Sequence, residues 1–381
     1  MNEIRFALFG TGGFAANYLE AFKNPKRENV RLVAAVDPYA EDCALCPLYK
    51  DAETMYTEQK PEAVIIATPI HFHREQAVQA FAHGCHVVLE KPIAGCLEDA
   101  RAILAARDKA GRLLNVDYQL CYDPVMRRVK ADADRDVFGA PVSLKVIVLW
   151  PRGNTYYGRS THWAGRRFDA EGRAIYDSVL NNATAHYLMN MLFITGAPAE
   201  NVSCRTYRAN PIETYDTAVM KAKSAGADIF IAVSHAVKED EIQNPMFEYR
   251  FEKAVLRFGA PGQRGSDIRA VFTDGHETDY GRVEQPYMEN VWNMADAIRL
   301  GVPLMCSGET AIMQTMAVES MRAFQPEAVP FPDRLVTRGE SMNWVEGLAG
   351  ALWRAFETTQ LPELGENGLI LPGQAKKPQE A

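Results

Sequence analysis

Ile4-Arg-Phe-Ala-Leu-Phe9-Gly10-Thr-Gly12-Gly-Phe-Ala15 is an apolar run, broken only by Arg5, that ends in a Gly-x-Gly-x-x-Ala turn. This order predicts a buried parallel strand, a tight turn at Gly10 and a helix starting near Phe14. Gly12 has no side chain to block a pyrophosphate, and Ala15 is small enough for the helix to pack on the strand. The helix N-terminus offers N–H groups and the positive end of its dipole to phosphate oxygens. A second apolar run, Val30–Val36, ends at Asp37. An acid about 20 residues past the glycines is placed to bond an adenosine ribose. The competing reading is a glycine turn with no ligand.

Composition bounds what surrounds this turn. A chain of 381 residues suits two domains rather than one. Apolar content of 47% and charged content of 24% are those of a globular protein with a large core. The net charge of −8 argues against nucleic acid or an anionic membrane as main partners. No signal-peptide pattern opens the sequence. The longest uncharged stretch, Ser178–Ala199, holds three Asn, two Thr and a His, so no membrane span is expected. Seven cysteines, an odd number, suggest reduced thiols and a cytoplasmic protein. Cys43-Ala-Leu-Cys46 has no second pair and reads as incidental, so no metal is expected.

The first third alternates strand and helix patterns. Ile4–Phe9, Val30–Val36, Ala63–Ala67, His86–Leu89 and Leu113–Val116 read as strands. Phe14–Phe22, Arg74–Ala82 and Leu97–Lys109 carry apolar residues at helical spacing. Such alternation implies a parallel sheet covered on both faces, with the loops after its strands on one rim. Three loops on that rim matter: Gly10–Ala15, Thr68-Pro-Ile-His71-Phe-His73 and Glu90-Lys91-Pro92. A Glu-Lys pair at a strand end, followed at once by proline, fits a pocket better than an exposed ion pair.

Beyond Gly139-Ala-Pro141 the pattern changes. Tyr122–Ala131 reads as a linking helix. Val142–Leu149, Val202–Arg208, Thr217–Lys223, Asp228–His235, Phe247–Glu252 and Ala254–Phe258 read as strands joined by short turns. They predict an antiparallel sheet whose uncovered apolar face would join copies of the chain into a homodimer or homotetramer. Helices are expected over Tyr287–Arg299, Thr310–Phe324 and Met342–Thr358. The domains read as 1–121 for dinucleotide binding, 122–371 for substrate and oligomerisation, and 372–381 as a mobile polar tail.

Two segments of this second part carry chemistry. Leu180, Ala183, Tyr187, Leu188, Met191 and Leu192 form a helical apolar stripe, which sets Asn182 and His186 one turn apart on one face. The other segment is Trp150–Phe168, with five aromatic rings beside Arg152, Arg159, Arg166, Arg167 and His162. Rings suit sugar C–H faces, and guanidinium forks suit hydroxyls or carboxylates. Tyr156, His162, Trp163 and Arg166 are therefore the expected substrate contacts, and Asn182 is one only by the family resemblance that its spacing to His186 carries. A subunit contact and a helix cap at Asn182 are the alternatives.

The chain resembles the Gfo/Idh/MocA oxidoreductases, the group of glucose–fructose oxidoreductase and inositol dehydrogenase. The resemblance rests on Gly10-x-Gly12-x-x-Ala15, Val36-Asp37-Pro38, Ala67-Thr68-Pro69 with His71 and His73, Glu90-Lys91-Pro92 and Tyr287–Gly301. It implies an N-terminal doubly wound Rossmann sheet followed by an α+β domain with a large, mostly antiparallel open sheet. It also implies a nicotinamide cofactor and an active-site lysine at Lys91. The expected cofactor residues are Gly10, Thr11, Gly12, Gly13, Phe14, Asp37, Thr68, Pro69, His71, His73, Glu90, Lys91 and Gln119. Where the family carries Asp-x-Gly-x-His, this chain has Asn182-Ala-Thr184-Ala-His186. The histidine is kept and the acid is an amide, which can bond a hydroxyl but cannot accept its proton.

The expected activity is therefore oxidation of a ring hydroxyl of a sugar, glycoside or cyclic polyol, with NAD favoured over NADP by the charge of Asp37. His186, with an ordinary histidine pKa of about 6.5, is the expected base, and Lys91 would stabilise the alkoxide or serve as base itself. An NAD-dependent glycosidase that oxidises its sugar transiently, and a dinucleotide-binding regulator, are the rivals.

Overall fold

A computed structural model describes residues 3–159, 163–259, 267–284 and 286–372. His162 and residues 373–381 of the polar tail lie outside the described residues. The chain divides into two compact units.

The first unit is built on β1 (Ile4–Phe9), β2 (Val30–Val36), β3 (Leu48–Tyr49), β4 (Ala63–Ile66), β5 (His86–Leu89) and β6 (Leu114–Val116). They form one sheet in the order β3-β2-β1-β4-β5-β6, and every pair is parallel. Helices α1 (Ala15–Lys23), α2 (Ala52–Gln59), α3 (His73–Ala82) and α4 (Leu97–Ala110) lie between the strands in sequence. All four residues of β4 are fully buried, as strands covered on both faces must be. Strand order reverses between β1 and β4, the switch point where ligands bind doubly wound sheets. Leu48–Tyr49 is too short to show a period in the sequence. Helix α2 is announced by Asp51, whose side chain accepts from Thr54 N at 2.8 Å.

This unit is not bounded at residue 121. It takes in Met1–Asp123, Ala170–Ile175 and Gln285–Thr315. The helix Glu289–Leu300 carries Val291, Trp292 and Ala295 into one buried cluster with Phe6, Leu8, Tyr18, Phe22 and Ile65. Helical spacing predicts that helix, but which sheet it covers is a matter of side-chain fit.

The second unit contains α5 (Pro124–Asp134), β7 (Pro141–Leu149), α6 (Asn154–Tyr157), α7 (Ala185–Thr195), β8 (Glu200–Arg208), β9 (Thr217–Ser224) and β10 (Ala227–Ser234). It continues with β11 (Gln243–Phe251), β12 (Ala254–Phe258), β13 (Asp267–Phe272), β14 (Glu277–Arg282) and β15 (Val329–Pro330). Their sheet runs β14-β13-β12-β11-β7-β10-β9-β8-β15. Only β7–β10 and β8–β15 pair in parallel. The last expected helix is shorter than its apolar pattern: Asn343–Val345 is a strand, and the helix starts at Leu348.

The uncovered face of this sheet is not apolar, contrary to expectation. Ile147, Leu149, Phe230 and Ala232 pack with Leu352 and Phe356 of the helix Leu348–Thr358. Over β11–β14 the buried positions include Phe247, Tyr249, Leu256, Ile268 and Ala270. The alternate positions carry charge: Glu248 pairs with Arg257 at 2.9 Å and Lys145 at 3.7 Å, and Arg269 with Glu277 at 3.4 Å. The strand period of two separates the sets, and Phe-Glu-Tyr-Arg-Phe-Glu over 247–252 shows it.

Candidate active site

The turn after β1 has the conformation its glycines require. Gly10 has φ +86°, and a Cβ there would lie 3.1 Å from the Ala67 carbonyl oxygen. Gly12, Gly13 and Phe14 are exposed, and a Cβ on Gly12 would meet no atom within 4 Å. The open side of the turn is thus a cradle into which a pyrophosphate fits, ahead of helix α1. Asp37 closes the turn from β2. Its Oδ2 accepts from Thr11 N at 3.0 Å and Thr11 Oγ1 at 2.7 Å, and its Oδ1 from Tyr39 N at 2.9 Å. Partial burial pushes this carboxyl up, but the bonds from Thr11, Tyr39 and Ala40 together outweigh it and hold it below the usual range. Asp37 is therefore a fixed anion beside the glycine turn.

The loops after β4 and β5 are tied together by His73. Its Nδ1 lies 3.0 Å from Pro92 O and its Nε2 3.0 Å from Thr68 O. Two acceptor contacts suit a doubly protonated ring, yet burial pushes the histidine down to about 4. At neutral pH one of the two contacts therefore lacks its proton. His73 is buried and braces the rim from behind. Pro69 and His71 are half-buried on the same loop, His71 beside Phe72 with centroids 4.2 Å apart. Thr68 donates to Gln76 at 2.6 Å. Gln119 is buried in a single 3-10 turn after β6.

Glu90 and Lys91 follow β5, and the Lys91–Pro92 bond is cis. Tyr18 of α1 donates to Glu90 Oε1 at 2.8 Å, and Asn290 donates to the Tyr18 oxygen at 2.9 Å. Asp117, which sequence reading missed, follows β6 on the adjacent strand and hydrogen-bonds the Glu90 carboxyl. Burial raises both acids, more strongly for Asp117, and the positive charge of Lys91 opposes the rise. Two carboxyls can share a hydrogen bond only if one keeps its proton. The buried pair thus favours keeping a proton, and the charge of Lys91 opposes that. Its signal in the sequence is an acid directly after a buried strand, the same sign that marks Asp37 and Glu90.

In the second unit Asn182 and His186 do not lie on one regular helix. Asn182 belongs to a π-helical turn, Val179–Ala183, and α7 begins only at Ala185. The cap of the turn is Ser178, whose hydroxyl accepts from Asn181 N at 3.2 Å. Asn182 instead donates to Asp177 Oδ1 at 2.8 Å and contacts the Tyr156 hydroxyl at 3.4 Å. A buried carboxylate thus stands beside the amide, five residues before the position where the family carries its acid. Tyr156 and Trp163 meet edge to face, with centroids 6.2 Å apart. Arg166 departs from expectation: its guanidinium is paired with Glu213 at 2.7 Å. His235, also missed, is buried with Nδ1 2.6 Å from Trp150 O, and burial and then Arg152 push it down to about 3.

Residues 4–118 match the oxidoreductase family with an NAD-binding Rossmann fold. That segment is similar to the Gfo/Idh/MocA oxidoreductases over the whole of its parallel sheet. Among curated relatives is D-apiose dehydrogenase of Rhizobium rhizogenes. It is 28% identical over 62% of this chain and 68% of that protein. The 2,7-anhydro-N-acetylneuraminate hydratase of Mediterraneibacter gnavus is 31% identical over 36% of this chain and 38% of that one. Beyond the first of these, the alignments span less than half of each relative's length. The WlbA dehydrogenase of Bordetella pertussis, solved with NADH and UDP-GlcNAcA, superposes with a TM-score of 0.72 at 23% identity. It covers 87% of this chain and all of its own, and shows the same fold. Among the described residues no group of three or more His, Cys, Asp or Glu is arranged to hold a metal, and no helix is long and apolar enough to cross a membrane.

Proposed function

We propose that this protein oxidises a ring hydroxyl of a sugar, glycoside or cyclic polyol to a ketone. The observation that carries the reading lies within the first unit. An open glycine cradle, a fixed Asp37 carboxylate and the Glu90-Lys91 pair all follow strands of one parallel sheet and so share its C-terminal rim. Bound NAD would supply the hydride acceptor. Gly10 to Phe14 would hold its pyrophosphate and Asp37 its adenosine ribose. Lys91 would bond the substrate oxygen and stabilise alkoxide charge, and His186 would take the hydroxyl proton. Asn182, with Asp177 behind it, would bond a substrate hydroxyl. The uncovered, charged sheet face would join copies of the chain.

Asp37 should make NAD bind more tightly than NADP by repelling a 2′-phosphate. Lys50 already bonds the Ala40 carbonyl of the same loop. Asp37→Ser should therefore narrow the gap, as measured by fluorescence titration with both cofactors. Equal affinities in the unaltered protein would sink the assignment.

A second reading has one observation in its favour: a relative named as a hydratase catalyses no net oxidation by that name. Sugars, inositols and aryl glycosides offered with NAD decide between the readings. Stoichiometric NADH absorbance supports the dehydrogenase. Turnover without NADH supports transient oxidation. NAD binding without turnover of any substrate would leave only a dinucleotide-binding regulator.

A further inference from the structure

Two arginines of the second unit hold their charge on one aromatic ring with no acid to meet it. The Arg159 guanidinium carbon lies 4.0 Å from the Tyr156 ring centroid and 4.7 Å from that of Trp163. The Arg152 guanidinium carbon lies 5.0 Å from the same Tyr156 ring. Arg159 donates from Nε to its own turn, to Tyr156 O at 2.8 Å. Arg152 Nε is buried and has no hydrogen-bond partner among the described residues. Neither guanidinium pairs with a described carboxylate. The two arginines next along the loop do: Arg166 with Glu213 at 2.7 Å and Arg167 with Glu327 at 2.6 Å.

The contrast separates structural from available cations. Arg166 and Arg167 fasten the loop and have no charge to spare. Arg152 and Arg159 stack on rings, which fixes the plane of each fork and leaves its N–H edges to bond something else. A buried donor without a partner is rare in native proteins and calls for a ligand or a water. Two positive groups on one ring also repel each other unless an anion screens them. The buried acid close by, Asp177, is engaged by Gly165 N at 2.7 Å and by Asn182 at 2.8 Å. The same cluster presents the Tyr156 and Trp163 rings, surfaces that suit a sugar's C–H face.

We infer that Arg152 and Arg159 form a subsite for an anionic group, a carboxylate or a phosphate, carried by the carbohydrate substrate. The inference rests on the proposed sugar oxidation for the rest of the ligand. It moves the expected acid-binding role from Arg166 to the two arginines that have no acid of their own. The preferred substrates are then sugar acids or sugar phosphates rather than neutral sugars. A planar carboxylate or a phosphate would take a bidentate bond from either fork.

The test uses the NAD-loaded protein and matched sets of hexose, hexuronate and hexose phosphate. Binding is followed by tryptophan fluorescence and turnover by NADH absorbance. The acidic member of a set should bind at least about tenfold more tightly than the neutral one. Arg152→Gln and Arg159→Gln should each cut that ratio by about tenfold, while Arg159→Lys keeps part of it. The anion whose ratio falls more identifies the natural group as carboxylate or phosphate. No preference for either anion in the unaltered protein overturns the subsite, as does a preference that survives both glutamine substitutions. NADH formed from neutral sugars alone would leave the dehydrogenase reading intact and remove the subsite. Tight anion binding that both substitutions abolish, with no NADH from any sugar, would keep the subsite and remove the dehydrogenase reading.

Discussion

Asp117 and Glu90 form a buried pair of acids, and that has a cost at neutral pH. Burial, then the charge of Glu90, raises the folded value of Asp117 well above 3.8. A raised acid contributes stability that is full below its unfolded value and lost as pH rises through its folded one. An amide can donate to Glu90 as the protonated acid does, and it never ionises. Asp117→Asn should therefore raise the melting temperature at pH 8, with the gain shrinking toward pH 4. Melting curves with the same pH slope in both proteins would count against a proton held by the pair. Lys91 and His186 are the residues proposed to meet the substrate. Lys91→Ala and His186→Ala should each lower kcat by about a hundredfold or more, with NAD affinity little changed. A variant that kept near-normal kcat on the true substrate would remove that residue from the chemistry.

Among the elements, the glycine turn is constrained by both its backbone angle and the space around it. Gly10 combines a left-handed φ with a close approach to the backbone of Ala67. Gly10→Ala should cost roughly 1–3 kcal/mol of stability and weaken NAD binding, read by melting and by titration together. An alanine variant with unchanged melting would mean that the turn relaxes freely. Legibility differed sharply between elements. The turn, its strands and Asp37 could be read because each follows from local order: apolar run, glycine, small residue, acid. The Asn182–His186 spacing could not. A four-residue offset means one helical face only if the helix is regular, and a π-helical turn ends before His186. Asp177 joins Asn182 through that distortion, and no periodicity foretells it.

Across the whole molecule, buried and half-buried histidines set the response to acid. His73 and His86 are pushed down to about 4 and His235 to about 3, in each case first by burial. His86 Nδ1 accepts from Leu113 N at 3.0 Å, which needs a neutral ring. A lowered histidine contributes stability present above its unfolded value and lost as pH falls toward the folded one. Stability should thus decline from about pH 6.5 to pH 4, by roughly 3 kcal/mol for the fully buried His73. His73→Gln should flatten that part of the curve in denaturant titrations across this range. An unchanged slope would mean that His73 is already charged in the fold, bonding both carbonyls. The interleaving of the units belongs to this scale too, because residues 170–175 and 285–315 return to the first unit from within the second part of the sequence.

The sequence by itself determined the parallel sheet, its glycine cradle, the acid at Asp37, the Glu90-Lys91 pair and the family resemblance. All of these are written in short-range order, where strand period, turn chemistry and helix start act within a few residues. Only the tertiary structure decided which arginines are spent and which remain. Arg152, Arg159, Arg166 and Arg167 are alike in composition and lie on one loop. Glu213 and Glu327, far along the chain, fold back to take two of them and leave the other two on the Tyr156 ring. The same holds for Asp117 with Glu90 and for Asp177 with Asn182. Whether a charge is neutralised depends on a partner brought near by folding, and sequence distance carries no record of that.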